Sequence, residues 1–301
     1  MSFLPISIIA YAFNAGALLV DKILLRTSLP NPVVYTFYVN LLQLLVIFLI
    51  PFGFKPTLDT PTYFAVASGL VGILAFYTYF SSLREAEASI VGPVVGTFNP
   101  LTSLIVGGLF LNQILSHDQR TAFFILMFGT LILTWNYWDK GVKLSRPFLL
   151  MVASGFFFGV SYVLLRQAFL GTSFLNGFII SRLASGGFAL FFLLLPEARK
   201  EIFKVNRSGQ GVTSKSTLIL LGAGQIMGAL SVTLITFGVS LANPALVNAL
   251  FGVQYLVILL VSLVLAKKNP RLLDEPLSKG VVTRKATGAA VISFGLYLLA
   301  K

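Results

Sequence analysis

The sequence predicts an all-α membrane protein of ten transmembrane helices in two inverted five-helix repeats. Three observations carry this expectation. The 301 residues are 56% hydrophobic and only 11% charged, with a mean hydropathy of +0.90. Apolar stretches of bilayer-spanning length recur along the whole chain. The two halves share sparse sequence matches in register.

The apolar runs lie at 3–21, 32–51, 62–81, 88–111, 121–138, 147–166, 173–195, 217–241, 244–266 and 285–300. They are continuously apolar rather than alternating, which predicts helices and not barrel strands, because a lone strand in lipid leaves its backbone groups unpaired. No basic residue precedes the first run, and it ends in Asp21-Lys22 without a small-residue cleavage site, so it reads as a retained span. Cysteine is absent, which excludes disulfides and thiolate metal sites.

The net charge of +12 fits basic loops facing anionic headgroups better than nucleic-acid binding. Of the 22 Lys and Arg, 17 fall in the loops after spans 1, 3, 5, 7 and 9, counting Lys285 at the head of span ten. The positive-inside rule then puts those loops in the cytoplasm and both termini outside.

The matches between halves pair Phe13-x-x-Gly16 with Phe156-x-x-Gly159, and Pro51 with Pro196. Residues 86–91 at the head of span four pair with 242–247 at the head of span nine, and Phe128-Gly129 with Phe294-Gly295. The offset grows from 143 to 166 only where the second half carries longer loops, at 197–216 and 267–284. Five helices is an odd number, so a second copy sits upside down in the membrane, and two such bundles suit alternating access around a midplane site. The repeats are placed at 1–140 and 147–301.

On these features the whole chain resembles the drug/metabolite transporter superfamily in its ten-helix, EamA-like form. The resemblance rests on the five-plus-five layout, on Ala86-x-x-Ser89-x-Val91 and Ala242-x-x-Ala245-x-Val247, and on the small-residue-rich ends Phe128-Gly129 and Phe294-Gly295. It departs after span four, where relatives carry a Glu and this chain has Asn112-Gln113, and after span nine, where only Glu275 stands near. The resemblance implies cytoplasmic termini, against the charge count, and orientation stays open. It also implies transport of a neutral, zwitterionic or anionic metabolite, since spans one and six lack the embedded Glu of small proton-coupled relatives.

Candidate solute contacts follow from polarity inside the spans. Gly92, Gly96 and Asn99 share one face of span four, and the 156 offset maps them to Asn248, Gly252 and Tyr255. Pro100 removes a helix hydrogen bond and is expected to kink span four. Gly92-x-x-x-Gly96 equally suits close helix packing.

Arg182 is a charge deep in span seven, where insertion costs about 2.5 to 3.5 kcal/mol unless it faces a wet cavity or a partner. It reads as an anion-binding residue or as the partner of another polar group. Asn14, Asn40, Gln43, Tyr77, Gln225 and Gln254 are neutral polar groups near mid-span, each either interhelical glue or part of a polar pathway. Asp21, Lys22, Arg166 and Glu197 read as interface anchors, and His117 as a solvated loop residue.

No metal-ligand spacing and no phosphate-binding Gly-x-x-x-x-Gly-Lys loop occurs, so neither enzyme activity nor a cofactor is expected. The expectation is a multi-pass plasma-membrane transporter or facilitator for an amino-acid-like or organic anion, acting as monomer or homodimer among membrane lipids. A broad-specificity drug exporter is the alternative, followed by a receptor or scaffold.

Overall fold

A computed structural model describes residues 3–27, 31–55, 57–86, 88–112, 114–139, 145–208, 215–258 and 279–300. The described residues are all-helical. Glu87, Gln113, Glu275, residues 259–266 of expected span nine and most of the 267–284 loop lie outside them.

The helices are α1 (Phe3–Thr27), α2 (Pro32–Leu42), α3 (Thr60–Glu85), α4 (Ala88–Leu111), α5 (His117–Asp139) and α6 (Arg146–Gly171). They continue with α7 (Phe174–Ala189), α8 (Pro196–Ser208), α9 (Lys215–Leu241), α10 (Pro244–Ala249) and α11 (Lys279–Ala300). Seven helical stretches are long and apolar enough to cross a membrane: Phe3–Asp21, Pro32–Phe52, Thr60–Glu85, Ile90–Phe110, Arg146–Gly171, Phe174–Leu194 and Ile219–Leu241. Shorter apolar helical stretches cover Pro244–Ile258 and Ala286–Leu299.

Local chemistry sets the ends. Asn31 and Asp59 cap α2 and α3 by accepting from the amides of Val33 and Thr62, and a proline follows each cap within two residues. The Thr57 hydroxyl and the Thr62 amide hold the Asp59 carboxyl below its usual pKa. Beyond Leu42 the helix tightens into a 3-10 helix, Gln43–Phe52, and Gly53 closes it at φ 110°, a conformation that favours glycine. α7 likewise ends in a 3-10 helix, Leu190–Leu194, just before Pro196.

One expectation is corrected. The loop at 197–216 contains α8, whose Pro196 starts the helix while Glu197 complements its positive end. Ala198 and Ile202, four residues apart, bury one face of it. α4 runs as continuous α-helix through both Pro93 and Pro100. The helix that tightens is its proposed counterpart: after Asn248 the amides of Leu250, Phe251, Val253 and Gln254 bond three residues back instead of four, around Gly252, a weak helix former.

The segments before and after residue 140 interlock through antiparallel seams. α3 meets α6 where the Ser68 and Ser161 hydroxyls each donate to the other's carbonyl at 2.9 Å, and the Ser154 hydroxyl donates to the Ala75 carbonyl. α1 runs against α9 with Gly16 under Met227 and Gly224 under Val20. α5 lies against α11 through Gly129 on Ile292 and Gly295 on Leu126. α4 crosses α10 with Gly92 facing Tyr255 and Gly96 facing Phe251.

Small residues therefore set the helix spacing. At Gly69, any β-carbon would run into the Ser181 carbonyl and the Ala184 side chain of α7. Gly69→Leu is expected to destabilise the protein by about 1 to 3 kcal/mol through overpacking, read as a lowered midpoint of thermal unfolding in detergent. An unchanged midpoint would mean that the α3–α7 seam yields freely.

Candidate functional site

A cavity of about 470 Å³ occupies the centre of the helix bundle. Its wall is built by α1, α2 with its 3-10 extension, α3, α4, α6, α7, α9 and Phe251, while α5 and α11 take no part. Most of the wall is apolar and aromatic. Phe76 meets Phe158 edge-on at 5.3 Å and Phe80 in a stack at 5.8 Å, and Tyr79 and Tyr162 extend the group.

Leu45 on the 3-10 extension and Ile226 on α9 line the cavity and are also 59% and 64% exposed. The cavity therefore opens sideways between α2 and α9. On the other flank α3 packs tightly against α7, and α2 and α9 make no comparable contact.

Polar groups stand at two levels of the wall. At the first, Arg182 donates to the Gln43 side-chain oxygen at 3.0 Å and lies 5.3 Å from the centre of the Phe178 ring. Gln43 in turn donates to Asn40, whose oxygen also accepts from Ser185, so this chain ties α2 to α7. Asn99 and Asn14 line the cavity too. Asn99 is only 4% exposed, and its side-chain oxygen has no hydrogen-bond partner among the described residues.

At the second level Tyr35 donates to the Asp21 carboxylate at 2.6 Å, with Gln225 beside Tyr35. Asp21 is thus part of the cavity wall and not an interface anchor, which corrects the sequence expectation. The signal was present: Tyr11, Asn14, Leu18 and Asp21 recur at intervals of three and four on α1 and all line the cavity. Arg166 is a second correction. It donates to the Val239 and Ser240 carbonyls and so caps the C-terminus of α9.

Of the polar residues singled out from the sequence as candidate solute contacts or pathway groups, the structure brings Asn14, Gln43, Asn99, Arg182 and Gln225 to the cavity. Asn248, Tyr255 and Gln254 lie in the packed α10 region and Tyr77 off the wall; Phe76, Tyr79 and Phe80 supply α3's cavity face. Asn248 donates to the Ser103 hydroxyl at 2.9 Å, and Gln254 accepts from Asn14 at 2.6 Å. Gly92 and Gly96 receive the Tyr255 and Phe251 rings, which is the close-packing role, and Gly252 lies against Thr130 and Ile292. Among the described residues no group of three or more His, Cys, Asp or Glu is placed to hold a metal.

No family model matches the chain, and no curated protein does. Solved structures do: 27 chains match in fold. One of them, described only as a crystal structure of protein, is 18% identical and superposes with a TM-score of 0.64 over 98% of both chains. The likeness shows that this whole-chain fold exists in a solved structure.

Gln254 depends on Asn14 for its one side-chain hydrogen bond, and its amide nitrogen is already unpaired. Asn14→Leu is expected to destabilise by about 1 to 3 kcal/mol, and Asn14→Leu with Gln254→Leu to recover part of that loss. Thermal unfolding of the three variants in detergent measures the coupling; strict additivity would mean that the bond contributes nothing.

Proposed function

We propose that the chain is a ten-helix plasma-membrane transporter or facilitator that moves a small amino-acid-like or anionic metabolite through the central cavity by alternating access. In this reading α5, α10 with its continuation, and α11 complete the ten spans, and α8 is a charged helix at the membrane surface. The two halves are inverted five-helix repeats of the drug/metabolite transporter kind.

One observation carries the reading. The cavity is lined by the first four helices of each proposed repeat and is closed by α3 on α7 but open between α2 and α9. Under the repeat, α3 corresponds to α9 and α7 to α2. The closed contact and the open gap are thus images of one another, as expected of one state of a two-state device whose other state exchanges them. Arg182, a guanidinium in the cavity wall whose hydrogen-bond partner among the described residues is the neutral Gln43, supports an anionic group on the solute.

Counterflow in proteoliposomes tests the function. Vesicles loaded with pooled amino acids, organic acids and nucleosides are expected to take up a labelled member of the pool saturably. Arg182→Ala should reduce uptake of anionic or zwitterionic solutes by at least tenfold. Uptake that survives the substitution while depending on Phe76, Phe80 and Phe158 would favour the broad-specificity drug exporter instead.

Alternating access has its own test, made simple by the absence of native cysteine. A Leu45→Cys, Ile226→Cys double variant is expected to be arrested by a bifunctional thiol reagent and released by reductant. Counterflow unaffected by the cross-link would mean that the α2–α9 gap need not close during transport.

A further inference from the structure

The sideways opening of the cavity has apolar edges at the depth of a bilayer interior. Leu42, Leu45 and Leu49 on one side and Ile226 on the other line the cavity and are also exposed on the outer surface. They lie inside Pro32–Phe52 and Ile219–Leu241, stretches long and apolar enough to cross a membrane. At that depth the opening meets hydrocarbon, and its edges offer water no hydrogen-bond partner. Behind the edge stands a charge. Gln43, which neighbours Leu42 in the chain, accepts from Arg182, and neither ion pair among the described residues involves that guanidinium. A hydrophilic anion would satisfy Arg182 and leave the opening to lipid chains, whereas an uncharged chain would fill the opening and leave the guanidinium without a counter-charge.

We infer that the cavity binds a single-chain amphipathic anion of the fatty-acid class, its carboxylate on Arg182 and its alkyl chain leaving through the opening between α2 and α9. The inference rests on the proposed role of the cavity as the solute site, and it narrows the solute class to anions that carry an alkyl chain. The planar guanidinium matches the fork of a carboxylate, and Gln43 already holds it in place. Phe76 and Phe158 give the part of the chain inside the cavity an apolar surface.

The same layout suits translocation of such a molecule. Hydrocarbon rejects the charged head and accepts the chain. An opening into the bilayer lets the chain stay in hydrocarbon while the head crosses against Arg182. A zwitterionic phospholipid head would bring a cation as well, and the carboxylate of the wall, Asp21, stands at the other level and is bonded to Tyr35.

Tryptophan quenching by brominated chains tests the assignment. Trp135 and Trp138 lie on α5, which takes no part in the cavity, so both are replaced by Phe and a reporter is placed in the wall as Phe158→Trp. The full chain is reconstituted in phosphatidylcholine bilayers in mildly alkaline buffer. Dibrominated stearate, its methyl ester, or phosphatidylglycerol with the same brominated chains is then added. Stearate is expected to quench the reporter saturably, at about one tenth of the membrane fraction that either of the others needs. Arg182→Gln should abolish that preference, and cross-linking Leu45→Cys to Ile226→Cys should exclude the chain. A second reporter, Phe191→Trp on the exposed end of α7, should be quenched alike by all three, which shows that each has entered the bilayer. The inference is overturned if stearate fails to quench the wall reporter or if the ester or the phospholipid quenches it equally. It is also overturned if Arg182→Gln leaves the preference intact or if quenching survives the cross-link. The comparison of the three chains on one protein decides the matter should Arg182→Gln not fold. Counterflow separates the two levels of the proposal: stearate binding without exchange of any solute keeps the site and discards transport, whereas exchange of hydrophilic solutes without stearate quenching keeps the transporter and discards the inference.

Discussion

The approach of α6 to α4 governs the rest of the bundle. Gly155 and Gly159 let the two helices come so close that a β-carbon at either position would meet Phe98 or Thr102 side chains at 2.7 and 2.6 Å. With the serine pair on the opposite edge of α6, this wedges α6 between α3 and α4. α1 packs along α9 and meets the segment after α10 through Tyr11 on Phe251 and Asn14 on Gln254. A bundle that closes tightly on one flank and not on the other leaves a void, and the void is the cavity. Dispersion forces and small residues suffice for the tight flank, because lipid supplies no hydrophobic drive for helices to associate.

Polar side chains then decide what the void is. In an apolar surround each buried amide or hydroxyl must find a partner, and most do so by bonding back to their own helix: Thr78, Thr97, Ser103 and Thr236 all donate to carbonyls three or four residues earlier. Asn40, Gln43 and Ser185 instead bond between helices, and the free end of that chain is Arg182. The guanidinium is thereby oriented without being neutralised, since all its protein partners are uncharged. A solute anion would meet a donor already held in place, so little ordering entropy opposes binding.

Composition and run length made the helices legible, because an apolar stretch in a chain this poor in charge has no other stable form. The spacing of Gly92 and Gly96 suited close packing against an unspecified helix, and the two glycines lie against Tyr255 and Phe251. What hydropathy could not supply was depth and direction. Asp21 closes the first apolar run, so it scored as a boundary residue, yet α1 continues to Thr27 and turns Asp21 towards the cavity. Asn248 and Asn99 look equivalent by offset, and the side-chain oxygen of each is buried without a partner among the described residues, yet only Asn99 lies in the cavity wall while Asn248 donates to Ser103 within a packed seam. The tightened turn that follows Asn248 also rotates the residues after it relative to a continuous helix. A one-residue change in hydrogen-bond register is invisible to a pattern of residue types.

The same turn bears on motion. Helix segments with i to i−3 bonding hold poorer hydrogen-bond geometry than α-helix, and they concentrate here in α10 and at the ends of α2 and α7. Two of those places border the cavity, through Phe251 and Leu45. The continuous helices α3, α4 and α6 form the glycine- and serine-lined seams. Rigid seams beside locally weaker helix ends confine any rearrangement of the wall to α2, α7 and α10, the elements that hold the gap at Leu45 and the network around Arg182. A change that closes the gap by moving α2 would therefore also shift the Asn40–Gln43–Arg182 chain, which α2 and its 3-10 extension carry.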